Sequence, residues 1–146
     1  MTRSLSILML VIVVAGPGAR GVATCPEGRS VVGDLGINQL LCIGGDCTIY
    51  GRIGDGLTHQ FTTEPRLYDV DLRGPSAGLV KEGDVLVAVD GLLVTTPEGG
   101  YRLANLKART LVQLWLRRDG RDVRVSMTTR EGCGFRSLTV RAGGSR

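Results

Sequence analysis

Between residues 66 and 128 the chain never runs apolar for more than five residues before something polar or a glycine turn interrupts it. The longest such run, Val85-Leu86-Val87-Ala88-Val89, is bracketed by Gly83-Asp84 and Asp90-Gly91. A short β-branched run between turn signals reads as a buried strand. Asp-Gly is a strong two-residue hairpin signal, because such turns place their central residues at φ > 0. The same grammar recurs along the chain. Residues 66–72 alternate apolar and polar, residues 111–117 alternate again, Asp119-Gly120 turns the chain, and residues 123–127 alternate once more. Aromatic residues are only 4% of the chain, so Val, Leu and Ile must build the core. A single helix is predicted from about Pro97 to Lys107. Thr95 or Thr96 supplies the cap, Pro97 suits the first turn, and Thr95 with Glu98 has capping-box spacing. Tyr101, Leu103, Ala104 and Leu106 form its apolar stripe.

The earlier part of the chain is looser. Ser30-Val31-Val32 and residues 37–42 are strand candidates separated by a Gly33-Asp34-Leu35-Gly36 turn. Thr48-Ile49-Tyr50 and His59-Gln60-Phe61 flank a glycine-rich stretch that reads as a hairpin turn or flexible loop. Pro75 and Gly78 predict one or two turns of helix over residues 74–80. Beyond Gly132 only Cys133 and residues 135–138 suggest order, and residues 142–146 read as a frayed tail.

Residues 1–23 have the plan of a signal peptide. Arg3 is positive, residues 5–15 are almost wholly apolar, and Gly21 and Ala23 suit cleavage after Ala23. The apolar run is shorter than the roughly 20 residues a membrane span needs. Two alternatives stand beside cleavage: an uncleaved anchor, and acylation at Cys25. Removing Arg3 and Arg20 from the 18 basic residues leaves a surplus of two over the 14 acidic ones. That is too small for a nucleic-acid footprint, which needs a clustered basic face. Arg117, Arg118, Arg121, Arg124 and Arg130 read as a solvated strand face.

All four cysteines, Cys25, Cys42, Cys47 and Cys133, lie beyond the cleavage site. An even count in an exported chain reads first as disulfides, with three possible pairings. Cys42 and Cys47 enclose a short glycine turn, and pairing them leaves Cys25 with Cys133. So long a closed loop contributes about 4 kcal/mol in the chain-entropy account. The competing reading is zinc, for which the spacing fits only one pair loosely.

Several strings in fixed order carry a resemblance: Gly74-Pro75-Ser76-Ala77-Gly78-Leu79, residues 82–91, Thr95-Thr96-Pro97-Glu98-Gly99-Gly100 and Arg118-Asp119-Gly120. Over residues 74–124 the chain resembles a bacterial-type PDZ domain, as in stand-alone exported PDZ proteins and high-temperature-requirement envelope proteases. The resemblance implies an α+β, mostly β fold. Its form would be a PDZ-like, partly open barrel or sandwich of five to six strands with one main helix and one short helix. It implies a domain over residues 24–131, with a cysteine-containing excursion in residues 24–65, the core match in 66–131, and a C-terminal tail over 132–146.

The resemblance also implies a peptide site. Gly33, Asp34, Leu35, Gly36 and Ile37 would form a glycine loop offering backbone N–H groups to an anion, and Asn38, Gln39 and Leu40 would continue a strand that pairs with an extended guest. Gly100, Leu103 and Ala104 would face them from the helix. Asp34 sits awkwardly for a carboxylate ligand, so internal or hairpin guests stay open beside C-terminal ones. No catalytic residues, metal or cofactor are expected. His59 is the single histidine, and a Ser76–Lys81 pair is better explained by turn and surface roles. The expected partner is a peptide or protein segment, met in the periplasm or outside the cell. The alternatives are a stapled structural domain or a regulatory partner of an envelope protease.

Overall fold

The computed structural model describes residues 24–25, 31–44, 47–53, 56–133 and 137–141; the signal-peptide segment lies outside them, and side chains are described for residues 24–25, 31–44 and 58–133. Strand β1 (Val32–Asp34) leads through a tight bend into β2 (Ile37–Ile43). A hairpin follows, β3 (Cys47–Ile53) with β4 (Gly56–Phe61). Next come β5 (Arg66–Val70), β6 (Val85–Val89), β7 (Leu92–Leu93) and helix α1 (Pro97–Ala104). The chain ends through β8 (Leu111–Arg118), β9 (Arg121–Thr128), β10 (Arg130–Gly132) and β11 (Ser137–Arg141).

The main sheet runs β11-β2-β5-β6-β8-β9, with β7 paired to β6. Separately, β1 pairs with β10, and β3 with β4. The result is α+β, mostly β and PDZ-like, with α1 as the one helix among the described residues. Both Asp-Gly pairs turn as expected. Asp90 and Gly91 have φ of 49° and 81°, and Asp119 and Gly120 have 50° and 73°, the double positive φ of a type I′ hairpin. Residues 74–80 make turns rather than a helix, with only Leu79 and Val80 bonding back to the Ser76 carbonyl. The glycine-rich stretch after Tyr50 belongs mostly to the β3–β4 ladder and is not a long loop.

One core joins these elements. Ile37 and Leu40 of β2, Leu86 and Val89 of β6, and Val112, Leu114 and Leu116 of β8 are buried together with Leu103 and Leu106. Alternation along β8, with Val112, Leu114 and Leu116 inward, produces this directly. Of the two candidate caps, Thr96 is the one used, and the helix begins at Pro97. The Thr96 hydroxyl accepts from the Gly99 N–H at 3.2 Å and donates to the Leu93 carbonyl at 2.7 Å.

Gly99 and Gly100 explain how the helix sits. A Cβ on Gly99 would lie 2.0 Å from the Leu93 carbonyl oxygen, and one on Gly100 would lie 1.8 Å from the His59 carbonyl oxygen. The helix therefore touches the backbone of β4 and of the β7 end with nothing between. His59, in the strand expected around residues 59–61, is buried in β4, with its ring 5.8 Å from that of Phe61. Elsewhere Cys25 and Cys133 form a disulfide across 108 residues, tying the start of the described chain to the end of β10.

Gly→Ala in a helix ordinarily gains about 1 kcal/mol. At Gly100 the sign reverses, because the new methyl meets a backbone oxygen that cannot rotate away. Gly100→Ala is expected to cost about 2 kcal/mol, the scale of core overpacking. Urea unfolding of the two proteins checks this, and an equal or higher midpoint for the variant would remove the close contact from the account.

Candidate functional site

The residues singled out for peptide capture lie where β1 passes into β2. Two backbone contacts set the bend. The Gly33 N–H donates to the Leu106 carbonyl at 2.6 Å, and the Gly36 carbonyl accepts from the Asp71 N–H at 2.7 Å. Gly36 has φ of 75°, and a Cβ there would sit 3.0 Å from the Gly74 Cα. The loop is thus pressed onto the 74–76 turn. Ser76 completes the joint: its N–H donates to the Leu35 carbonyl at 3.0 Å and its buried hydroxyl donates to the same oxygen at 2.6 Å. That commits the Ser76 hydroxyl to structure, while Lys81 lies on the surface.

One of the loop amides expected to meet an anion is already engaged. The Gly36 N–H donates to Asp34 Oδ1 at 2.8 Å. The second carboxylate oxygen, Oδ2, accepts from Arg130 Nε at 2.7 Å, and Arg130 Nη2 donates to Asp71 Oδ2 at 2.8 Å. Asp71 is held below the usual carboxylate range, first by the Arg73 backbone N–H and then by the Arg130 guanidinium. The Arg130 pKa is raised, chiefly by its hydrogen bond to Asp34. Arg130, expected on a solvated face, is a clamp between two acids.

The pairing edge differs from the open strand that the resemblance implies. Strand β11 lies against β2 in parallel, with Ser137 opposite Gln39, Leu138 opposite Leu40, and Arg141 opposite Ile43. The tail is therefore part of the sheet at residues 137–141. Ile37 and Asn38, nearest the loop, fall outside that register. Asn38 is buried and its Nδ2 donates to the Asp69 carbonyl at 3.1 Å.

The helix side also departs from an open groove. Leu35, Ile37 and Leu103 are all buried members of the one core cluster. Gly100 faces the β4 backbone, Ala104 is half-buried, and Tyr101 points outward at 40% exposure. The structure brings the loop residues Gly33, Asp34, Leu35, Gly36 and Ile37 together and sets Gln39 and Leu40 beneath β11. It puts Gly100 against β4.

Cys42 of β2 is buried and disulfide-bonded; the side chain of Cys47, its expected partner, lies outside the described residues. Among the described residues no cluster of three or more His, Cys, Asp or Glu is placed to hold a metal, and no helix is long and apolar enough to cross a membrane.

Asp84 and Asp90, expected in turns to bond backbone, do so, but their arginine partners and the role of Glu82 were not foreseen. Glu82 accepts from the Asp69 and Val70 N–H groups at 3.1 and 2.9 Å. Asp90 accepts from the Gln113 N–H and from Arg102. Asp84, 2% exposed at its side chain, accepts from the Lys81 N–H at 2.9 Å and from Arg118 Nε and Nη2 at 2.8 and 2.7 Å. A cleft of about 690 Å³ opens beside this last pair, and Arg117 and Glu64 close across its wall at 2.6 Å. Arg124 stacks over the Trp115 ring at 4.6 Å. The only signal of these roles was turn position, where Asp side chains bond nearby backbone.

No protein-family model matches the chain, and no curated protein matches it. Among solved structures, the serine endoprotease from Yersinia pestis is similar over 72% of this chain, with a TM-score of 0.41 and 22% identity; the chain spans 31% of that protein. The PDZ domain of the carboxy-terminal protease from Vibrio cholerae, in complex with peptide, is similar over 70% of this chain and 97% of its own length, at 0.43 and 14%. The PDZ domain of EpsC from Vibrio cholerae matches 58% of this chain and 93% of its own length, at 0.34 and 18%. The mostly antiparallel sheets and the one described helix of this chain are consistent with a PDZ-like α+β fold.

The Asp84–Arg118 pair gives a prediction with a definite sign. Burial works to raise the Asp84 pKa, but the Arg118 hydrogen bond, the Lys81 N–H and their charges outweigh it, and the net shift is downward. A depressed folded value means the carboxylate stabilises the fold above its unfolded pKa of 3.8 and loses that contribution as pH falls through the lower folded value. Asp84→Asn is expected to cost about 2 kcal/mol at pH 7, the scale of hydrogen bonds to a charged group. Urea midpoints from pH 7 to 2 should show the difference between the two proteins shrinking only below pH 4.

Proposed function

We propose that this chain is a protein-binding module of PDZ type, exported from the cell, that docks an extended segment by strand addition along β2 and performs no chemistry of its own. The observation that carries the reading is the behaviour of the β2 edge. It receives a five-residue strand from beyond the Cys25–Cys133 staple, in continuous register from Gln39 to Ile43. Strand addition takes affinity from main-chain hydrogen bonds and specificity from alternate side chains. One strand of contact is a small interface, so affinity on the micromolar scale is expected for a guest in trans.

The tail itself is the first guest. Its strand begins at Ser137, with only three residues between it and Cys133. So short a tether gives an effective concentration on the order of millimolar. Micromolar guests then compete poorly unless the tail is released. A second reading shares the same observation: β11 seals the sheet permanently, and the chain is a stapled structural domain.

Truncation after Cys133 separates the two. It removes β11 but leaves the disulfide and the buried cluster, whose members all lie between Leu35 and Met127. The truncated chain should bind a synthetic peptide of residues 137–146 with micromolar affinity by calorimetry, while the full chain binds it at least tenfold more weakly. A folded truncated chain that ignores the peptide would leave the structural reading.

A further inference from the structure

The loop of a strand-addition site serves a chain terminus only when its N–H groups are free to meet a carboxylate and the guest arrives with its end at the loop. Neither condition holds here. The Gly36 N–H is donated to Asp34 Oδ1 at 2.8 Å. That carboxylate is fixed from its other side by Arg130 at 2.7 Å, and Arg130 is fixed in turn by Asp71. The Asp34 side chain is only 13% exposed. The neighbouring strand makes room for it: a Cβ on Gly132, which lies two residues from Arg130 on β10, would fall 2.3 Å from the Asp34 Cβ. The carboxylate therefore sits in a prepared place and is not a surface side chain that happens to reach inward.

Direction is the second, independent observation. Strand β2 starts at the loop and runs away from it. A guest ending at the loop must run antiparallel to β2. Strand β11 runs parallel, with Ser137 nearest the loop at Gln39 and Arg141 farthest from it at Ile43. The guest that the structure seats presents incoming backbone to the loop and sends its C-terminal end the other way.

We infer that Asp34 is an internal occupant of the loop's anion position and that the β2 edge accepts internal extended segments in parallel, excluding free C-terminal carboxylates. The inference rests on the strand-addition reading and names the class of guest for that same edge. The physics is direct. A terminal carboxylate arriving at Gly36 meets a like charge already holding the amide, and like charges at such separations repel. Removing the Asp34 carboxylate frees the Gly36 N–H and one face of Arg130 together, which is the donor set a terminal carboxylate needs. Asp34 acts as a specificity-determining residue and Arg130 as the residue that positions it.

The test uses two forms of one peptide, N-acetylated Ser-Leu-Thr-Val-Arg-Ala (the sequence of residues 137–142), with a free C-terminal acid or an amide. Each is titrated into the chain truncated after Cys133 and into its Asp34→Ala variant. The same titrations on full-length Val140→Pro, in which proline breaks the β11 ladder, guard against a truncated chain that does not fold. With Asp34 present, acid and amide should bind within about threefold of each other. With Asp34→Ala, the acid form should bind roughly tenfold tighter than the amide, the gain of a charge-assisted hydrogen bond.

In the intact full-length protein, the Gly36 amide proton resonance should ignore added acetate, and in full-length Asp34→Ala it should move. A tenfold preference for the acid form with Asp34 in place would overturn the inference while leaving strand addition standing. So would an acid-to-amide ratio unchanged by Asp34→Ala. Binding of neither peptide form by any folded variant would overturn both.

Discussion

Arg130 stands between two carboxylates, Asp34 at the end of β1 and Asp71 just after β5, and much of the site follows from where it holds them. At 42% side-chain exposure the guanidinium contributes little to stability as a charge pair. Its effect is geometric. Two arms of one planar fork reach two acids from different segments, and the rotamer of Asp34 is set as a result. With Asp34 set, its free oxygen meets the Gly36 N–H, and the bend between β1 and β2 closes on itself. The neighbouring Gly36 carbonyl is taken by Asp71's own amide, so the same residue supports the loop twice.

This economy of acids extends across the fold. Asp34, Asp71, Glu82, Asp84 and Asp90 each accept from a backbone N–H of their own chain. Short strands joined by tight turns leave many amides unpaired at strand ends, and buried or half-buried amides need partners. Carboxylates at turn positions meet that need at close range. A consequence is that these side chains are engaged in architecture and not assembled into an acid–base pair. The tail strand obeys the same constraint from the other direction. An exposed β2 edge is a row of unmet donors and acceptors, which natural sheets cover in one way or another, and β11 covers it.

The sheet was legible because its signals are local. Period-two alternation in β8 and β9, the apolar run of β6 and the two Asp-Gly turns all translate directly into pairing, since each needs only neighbouring residues to declare itself. The helix was legible for the same reason, and of its two candidate caps Thr96 is the one used. A bend before the β2 strand was also foreseen, though it is shorter than expected: Gly33 and Asp34 belong to β1 and only Leu35 and Gly36 turn the chain. What could not be read was its occupancy. Asp34 looked like an obstacle to a ligand; whether it pointed away or filled the site depended on Arg130, 96 residues later. Nor did the glycine pair of α1 say whether it faced a groove or a wall; the His59 backbone, brought there by the β3–β4 hairpin, decides that.

By itself the sequence determined the strands β5, β6, β8 and β9, the two Asp-Gly turns and the start of the main helix, because these follow from periodicity and from residues with special backbone freedom. It made disulfides the first reading of the cysteines, and the structure joins the expected pair Cys25 and Cys133. Only the tertiary structure decided that the β2 edge carries β11 and that the loop amide holds a carboxylate of its own chain. The first joins segments about 100 residues apart; in the second the bond itself spans only two residues, but the carboxylate that makes it is also held by Arg130, 96 residues later. The pairing of an edge strand depends on which backbone arrives beside it, and no local pattern records that arrival.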